Sequence, residues 1–368
     1  MMVPVNNTVE HFKEPRLPPA ASAGVIGWLR QNLFSSVSNT ILTLVSVYLL
    51  SLAIPAILDW AFLSSQVSGD TRFDCKVEGA CWAWLDQRFG QFLFGFYPEG
   101  ERWRVILAFI LLFPALIPWL TQGVPGQRYL RWFSVAYPVI ATILLAGGFG
   151  LQEVPTDKFG GFMLNLIVGL SGIVLSLPVG ILLALGRQSI LPLIRWVSIG
   201  FIEAIRGVPL ITLLFVSNIL LPIFLPPDMT LDSIIRVIIM VTAFASAYMA
   251  EVIRGGLQAI PPGQYEAAHA MGLNYWKSMR LIVLPQALRI SIPGIVNTFI
   301  GLFKDTTLVI VIGLFDILGI ANAMVSNPDW LGLSTETYVF VAGFFFAVCF
   351  SMSRYSMWLE RRLGKQRH

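Results

Sequence analysis

The sequence predicts an all-α integral membrane protein with about eight transmembrane helices, and three observations carry that reading. First, 56% of the 368 residues are hydrophobic and only 12% are charged, with a mean hydropathy of +0.72. A soluble domain is about 25% charged. Second, uncharged apolar runs of about 20 residues, the length needed to cross a bilayer, recur along the chain. Third, the runs are continuous and rich in Leu, Ile, Ala and Phe, unlike the alternating strands of a membrane barrel. Lipid admits only these two solutions, because backbone polar groups find no water there. This composition excludes a soluble enzyme, a disordered chain and a disulfide scaffold. A net charge of +4 is no nucleic-acid signal, and no glycine-rich phosphate loop ending in Lys-Ser or Lys-Thr is present.

In chain order, a polar tail (1–39) with Pro, Glu and Lys precedes the first span, 40–63, and carries no apolar leader. The second and third spans, 105–121 and 132–151, complete an N-terminal membrane extension, 40–155. Its outer loop, 65–104, is aromatic-rich. Trp60, Trp82, Trp84 and Trp103 read as interfacial belt residues. Cys75 and Cys81 would face an oxidising compartment, where either a disulfide or two free thiols can persist. The fourth span, 162–185, holds Gly169, Gly172, Pro178 and Gly180, which permit a kink and close packing. The fifth, 207–226, opens at Pro209, a residue suited to a helix start. The sixth, 233–253, begins beside Asp232 and Arg236, spaced for a local ion pair, and is broken by Gly255–Gly256. The seventh, 285–303, is interrupted by Arg289 and Pro293 and followed by a half-apolar stretch, 306–325. The eighth, 337–357, ends before a basic tail, 361–368.

With a cytoplasmic N-terminus and eight crossings, 15 of the 25 Lys and Arg residues fall inside and 7 outside. The remainder lie within or beside spans. Positive charge gathers on the cytoplasmic side of membrane proteins, so both termini are expected in the cytoplasm.

The segment 254–285 is too polar for lipid and too patterned for a linker. Pro261–Pro262–Gly263 can open a helix, Ala267, Ala268 and Ala270 favour it, and Gly272 ends it. A second short helix, 273–284, stops at Pro285. Small residues let a partner approach closely, and Glu266 supplies one fixed charge. A docking hairpin and a plain solvated loop both fit these residues.

The run Glu266-Ala267-Ala268, then Gly272, Ile282 and Leu284-Pro285 resembles the EAA signature of ABC-importer permeases at full spacing. Glu203-Ala-Ile-Arg206-Gly207-Val-Pro209-Leu210 is similar to the E-x-x-R-G-x-P-L element of the polar amino-acid (histidine permease) family. Ala247-Tyr248-Met-Ala-Glu251-Val-Ile-Arg254-Gly255-Gly256, Leu284-Pro285-Gln286-Ala287-Leu288-Arg289 and Lys304-Asp305-Thr306-Thr307-Leu308 resemble its further elements in the same order. The resemblance covers about 160–360 and implies a five-helix type I importer core, here 156–360 with the coupling loop 254–285. The three preceding spans are similar to those of the longer permease subunits of general L-amino acid systems.

The resemblance implies a multi-pass subunit of a bacterial inner membrane, importing polar or general L-amino acids by alternating access. It implies two cytoplasmic ATPase subunits, a second permease subunit, expected to be non-identical, and a periplasmic amino-acid-binding protein. This chain itself would be no enzyme and bind no cofactor, with ATP and Mg on the ATPase. Glu266, Ala267, Ala268 and Gly272 would contact that partner. Glu203, Arg206, Gly207, Pro209, Glu251, Arg254 and Pro285 read as scaffold, with Glu251 and Arg254 placed to pair at i, i+3.

Ionisable residues inside a membrane are functional candidates by default. Asp305 can meet a substrate ammonium group and Lys304 a carboxylate, with Asn297, Thr306 and Thr307 adding hydrogen bonds. Alternatively, Lys304–Asp305 stabilises a helix break. His269 reads as a surface residue, and neither the three histidines nor the three cysteines have metal-ligand spacing. A secondary transporter would need intramembrane carboxylates or histidines for ion coupling. Few are present, Asp305 and Asp316 among them. A membrane enzyme would need a nucleophile or metal cluster, and none is found. Within the importer class a metal, sulfonate or peptide cargo is the alternative to amino acids.

Overall fold

The computed structural model describes residues 24–75, 78–121, 123–224, 226 and 231–364. The outer parts of both predicted tails, with His11 and His368, fall outside them, as does Lys76. Every regular element among the described residues is a helix. Seven are long and apolar enough to span a membrane, or eight if one bent pair counts as a span.

The chain divides into two compact units. The smaller comprises residues up to Val67 together with Cys75–Cys81. Its α1 (Gly24–Asn32) leads to α2 (Val37–Leu58). Ser36 starts α2 by accepting a hydrogen bond from the Asn39 amide at 3.1 Å. No residue of α2 is buried, so its all-round apolar surface suits lipid. A π-turn, Asp59–Leu63, follows. Beyond it, the Gln66 amide donates to the Ala80 carbonyl and the Ala80 amide to the Trp60 carbonyl, both at 2.8 Å. Cys75 and Cys81 are joined in a disulfide. Gly79 is required here, since a Cβ would sit 2.0 Å from the Ser64 carbonyl oxygen.

The larger unit holds α3 (Ala83–Phe94), α4 (Arg102–Leu120), α5 (Gln127–Ala146), α6 (Gly161–Arg187), α7 (Pro192–Arg206), α8 (Leu210–Phe215), α9 (Leu221–Phe224) and α10 (Ser233–Gln258). It continues through α11 (Pro262–Ala270), α12 (Tyr275–Ser278), α13 (Leu284–Asp305), α14 (Ile317–Val325) and α15 (Ser334–Gly364).

Several sequence expectations are corrected. Residues 83–94, read as outer loop, form α3. Trp84 is no belt residue: it is buried, with its ring 5.3 Å from Phe92 and 5.9 Å from Phe340. The fifth span is preceded by a separate amphipathic helix, α7, and the chain bends 102° between Pro192–Arg206 and Leu210–Phe224. Pro209 lacks the N–H needed to continue α7 and instead opens α8. Gly255 and Gly256 do not break α10. Gly256 lets α13 approach, because a Cβ there would meet Ser291 Oγ at 2.1 Å and the Ala287 carbonyl oxygen at 2.5 Å. Pro285 does not stop the second short helix: α12 runs through a π-turn, Met279–Val283, into α13, with Pro285 directly after that turn, where the locally widened helix takes up the proline. Arg289 and Pro293 lie inside α13 without interrupting it. Asp232 and Arg236 do not pair. Asp232 caps α10, accepting from the Ile234 amide at 2.8 Å, and Arg236 donates to the Asn218 carbonyl at 2.9 Å.

Two clusters of buried residues hold much of the core among the described residues. One joins Leu164, Val168, Leu214, Val237 and Val241, and the other Ile202, Met249, Ile253, Val283 and Ala287. Between them α6 lies directly on α10. A Cβ on Gly172 would approach Val241 to 2.9 Å, and one on Gly180 would approach Met249 Cβ to 2.7 Å. Gly180→Val is therefore expected to destabilise by about 1–3 kcal/mol through overpacking. A lowered unfolding temperature in detergent would register it, and an unchanged one would refute the close contact.

Candidate functional site

The hairpin α11–α12 is built mostly from backbone chemistry. Pro261 is the N-cap of α11, at φ −60° and ψ 141°, and Pro262 fills its first turn. The helix closes at Gly272, whose φ of +72° is left-handed. There the Gly272 amide donates to the His269 carbonyl at 2.9 Å and the Leu273 amide to the Ala268 carbonyl at 3.1 Å, the paired bonds of a Schellman turn. Asn274 then caps α12 by accepting from the Lys277 amide at 3.0 Å.

Ala268 is fully buried, and Tyr265 packs against the cluster that includes Leu257, Ile260, Met279 and Val283. Gln286 Nε2 donates to Gln264 Oε1 at 3.0 Å, tying α11 to α13. Glu266, Ala267, His269 and Gly272 remain exposed. The helix is anchored through one face and presents the other. Ala268 therefore belongs to the anchor rather than to the presented face. Met271, Tyr275 and Trp276 are exposed beside the turn and extend that face. Sequence reasoning passed over them, though two aromatics directly after a glycine turn in a polar segment were the available signal.

A second constellation centres on Glu251 near the C-terminal end of α10. Arg254 Nη2 lies 2.7 Å from its Oε2, giving the expected pair, while Arg187 lies 3.0 Å and Arg206 3.8 Å from its carboxylate. Arg187 also reaches Glu203 at 2.8 Å. The Arg206 guanidinium sits 5.3 Å above the Tyr248 ring. Three helices, α6, α7 and α10, are thus pinned through one carboxylate. Gly207 ends α7, its amide donating to the Glu203 carbonyl at 2.9 Å.

The third constellation lies at the other end of α13. Asn297 and Lys304, two helical turns apart, are exposed on one face, with open space at Gly301 between them. Asp305, half-buried, borders that face. The two threonines are differently occupied. Thr307 Oγ1 donates to the Lys304 carbonyl at 2.9 Å. Thr306, fully buried, donates to the Phe303 carbonyl at 2.7 Å and accepts from Asn165 Nδ2 at 2.8 Å. The hydroxyl expected to meet a substrate is engaged inside the protein.

Asn165 and Asp316 complete a buried polar knot. Asn165 Nδ2 also donates to Asp316 Oδ2 at 3.0 Å, and Asn165 Oδ1 accepts from the Ile317 amide at 3.1 Å. Asp316 Oδ1 accepts from the Gly319 amide at 2.9 Å, capping α14. The knot ties α6, the 3-10 turn Thr306–Ile312 and α14 together. Among the described residues no three His, Cys, Asp or Glu side chains converge to hold a metal ion.

Residues 176–365 match the family described as the binding-protein-dependent transport system inner membrane component. The chain belongs to that family. This transport component is 49% identical over 355 residues to the inner membrane amino-acid ABC transporter permease protein YhdY of Escherichia coli, covering 96% of this chain and 97% of that protein. It is 45% identical over 420 aligned residues to the glutamate/glutamine/aspartate/asparagine transport system permease protein BztC of Rhodobacter capsulatus, covering 95% and 96%. The L-cystine transport system permease protein TcyB of Bacillus subtilis is 32% identical over 207 residues, which is 56% of this chain and 86% of that protein. A crystal structure of an amino acid ABC transporter with histidines aligns with 30% identity and a TM-score of 0.49, over 55% of this chain and 92% of that one. The transport component is thus a multi-pass inner-membrane permease. The α11–α12 hairpin, the Glu251 cluster and the Asn297–Asp305 face lie inside the family-matched stretch, while α2, α4 and α5 precede it.

Proposed function

We propose that the chain is the permease subunit of an ATP-driven importer that carries polar L-amino acids into the cytoplasm by alternating access. The observation that carries this reading is α11, a short helix held to the body by Ala268 and Tyr265 and offering Glu266, Ala267 and the Gly272 turn outward. Such a helix acts as a rigid lever in a groove of a cytoplasmic ATPase subunit. ATP and Mg bind on that partner, and its closure pushes the permease between two packings. The Glu251 cluster transmits the push, because it joins the inner ends of α6 and α10 to α7. Two ATPase subunits, a second, non-identical permease and a periplasmic amino-acid-binding protein complete the assembly, with both termini of this chain in the cytoplasm. The names of the two relatives matched over nearly their whole length support amino acids as cargo.

Every such cargo carries an α-ammonium and an α-carboxylate. Asp305 receives the ammonium and Lys304 the carboxylate, with Asn297 adding a hydrogen bond. Thr306 and Thr307 hold the turn that carries Asp305. Asp305→Asn in proteoliposomes, supplied with ATPase and binding protein, is expected to lower amino-acid uptake about tenfold or more. That corresponds to losing one charged hydrogen bond, about 1.5–3 kcal/mol. Co-purification of the ATPase should persist. Unimpaired uptake by this variant would remove Asp305 from the pathway.

A further inference from the structure

The end of the bundle that carries α11 also carries an unmatched block of positive charge. α15 packs along α13, with the Phe303 and Phe345 ring centroids 5.5 Å apart, and returns toward the start of α13. There Tyr355 Oη donates to the Leu120 carbonyl at 2.7 Å, joining α15 to the last residue of α4. Gln127 Nε2 donates to the Pro118 carbonyl at 3.1 Å, so the first turn of α5 sits at the same corner. Arg128 and Arg131 lie in the opening turns of α5, and Arg354, Arg361 and Arg362 in the closing turns of α15. All five are exposed.

None of the five forms an ion pair among the described residues, whereas Arg187, Arg206 and Arg254 at the same end all reach Glu251. The one carboxylate close in sequence, Glu360, accepts from Ser356 Oγ at 3.1 Å. Aromatic rings fix the depth of the corner. Trp358 lies one turn beyond Tyr355, with its ring 5.7 Å away, and the Arg362 guanidinium sits 5.3 Å over Trp358. Trp119, Tyr129 and Trp132 are exposed on α4 and α5. Exposed Trp and Tyr settle in the headgroup layer of a bilayer, so the arginines lie at phosphate level. Like charges gathered on two adjoining elements repel unless an anion lies between them, and basic pockets between membrane helices on one leaflet suit anionic headgroups.

We propose that these five arginines bind the phosphate headgroup of an anionic phospholipid at the seam between the N-terminal extension and the permease core. The lipid complements the Tyr355–Leu120 hydrogen bond and supplies the counter-charge that no ion pair among the described residues gives these arginines. Guanidinium groups suit this task because they grip phosphate oxygens in a bidentate fork.

The full chain, purified in neutral detergent, would be titrated with phosphatidylglycerol, phosphatidylcholine or inorganic phosphate. Thermal unfolding and native mass spectrometry of retained lipid are the readouts. Phosphatidylglycerol alone is expected to raise the unfolding temperature and to remain bound. Its apparent affinity should fall about fivefold for each arginine removed, tested with Arg128→Gln and Arg362→Gln singly and together. An equal effect of phosphatidylcholine, an equal effect of inorganic phosphate, or undiminished phosphatidylglycerol binding by the double variant would each overturn the proposal. So would loss of the ATPase from the double variant with lipid retention intact, because the corner would then be a protein contact.

Discussion

Glu266→Lys is expected to strip the permease of its ATPase subunits and to reduce uptake to background while the membrane part unfolds at the wild-type temperature. Glu266 is exposed and forms no ion pair among the described residues, so the substitution costs the isolated chain little. In a closed interface, truncating one partner of a buried charged hydrogen bond costs about 2–5 kcal/mol, and reversal adds repulsion. Gly272→Val is a second arm of the same test. A β-branched residue at φ +72° is strained by about 1–2 kcal/mol, so the turn opens and the lever loses its shape. Pull-down of the ATPase, uptake and thermal unfolding are read together. If Glu266→Lys retains both ATPase and uptake, α11 is not the coupling element.

Asp316→Ala is the most damaging substitution expected for the fold itself. It removes the cap of α14 and leaves one N–H of the Asn165 amide and the Gly319 amide without acceptors in a buried site. Loss of a cap costs about 0.5–2 kcal/mol, and a stranded buried donor about 1–3 kcal/mol. The total is about 1.5–5 kcal/mol, against about 1–3 kcal/mol for Thr306→Val, which strands one donor and removes no cap. Thermal unfolding of the two variants in the same detergent checks the ranking. Equal midpoints would show that the knot does not hold α14.

The spans were legible because 12% charge leaves most of the chain unambiguous. The hairpin was legible because proline, alanine and glycine act locally, and the structure places its turn at Gly272 as expected. What stayed hidden depends on contacts across the chain. Asn165 meets Thr306 and Asp316 across 141 and 151 residues, and no local pattern encodes that meeting. α7 escaped because Arg195 and an amphipathic rhythm read as a cytoplasmic loop. α3 escaped because its buried Trp84 and Phe92 are interleaved with Asp86, Gln87 and Arg88. Gly255–Gly256 and Pro285 misled for one reason: glycine and proline were read as punctuation, whereas at Gly256 the missing side chain admits α13 and at Pro285 the preceding π-turn accommodates the ring.

The turn of the α11 hairpin is closed by main-chain bonds at Gly272 and Leu273 and by the buried Ala268. None of the side chains on its outward face is needed to hold its shape. Shape and address are therefore written in separate residues. Under the proposed coupling role, a lineage can rewrite which motor the hairpin recognises, one exposed position at a time, while the hairpin itself stays folded throughout.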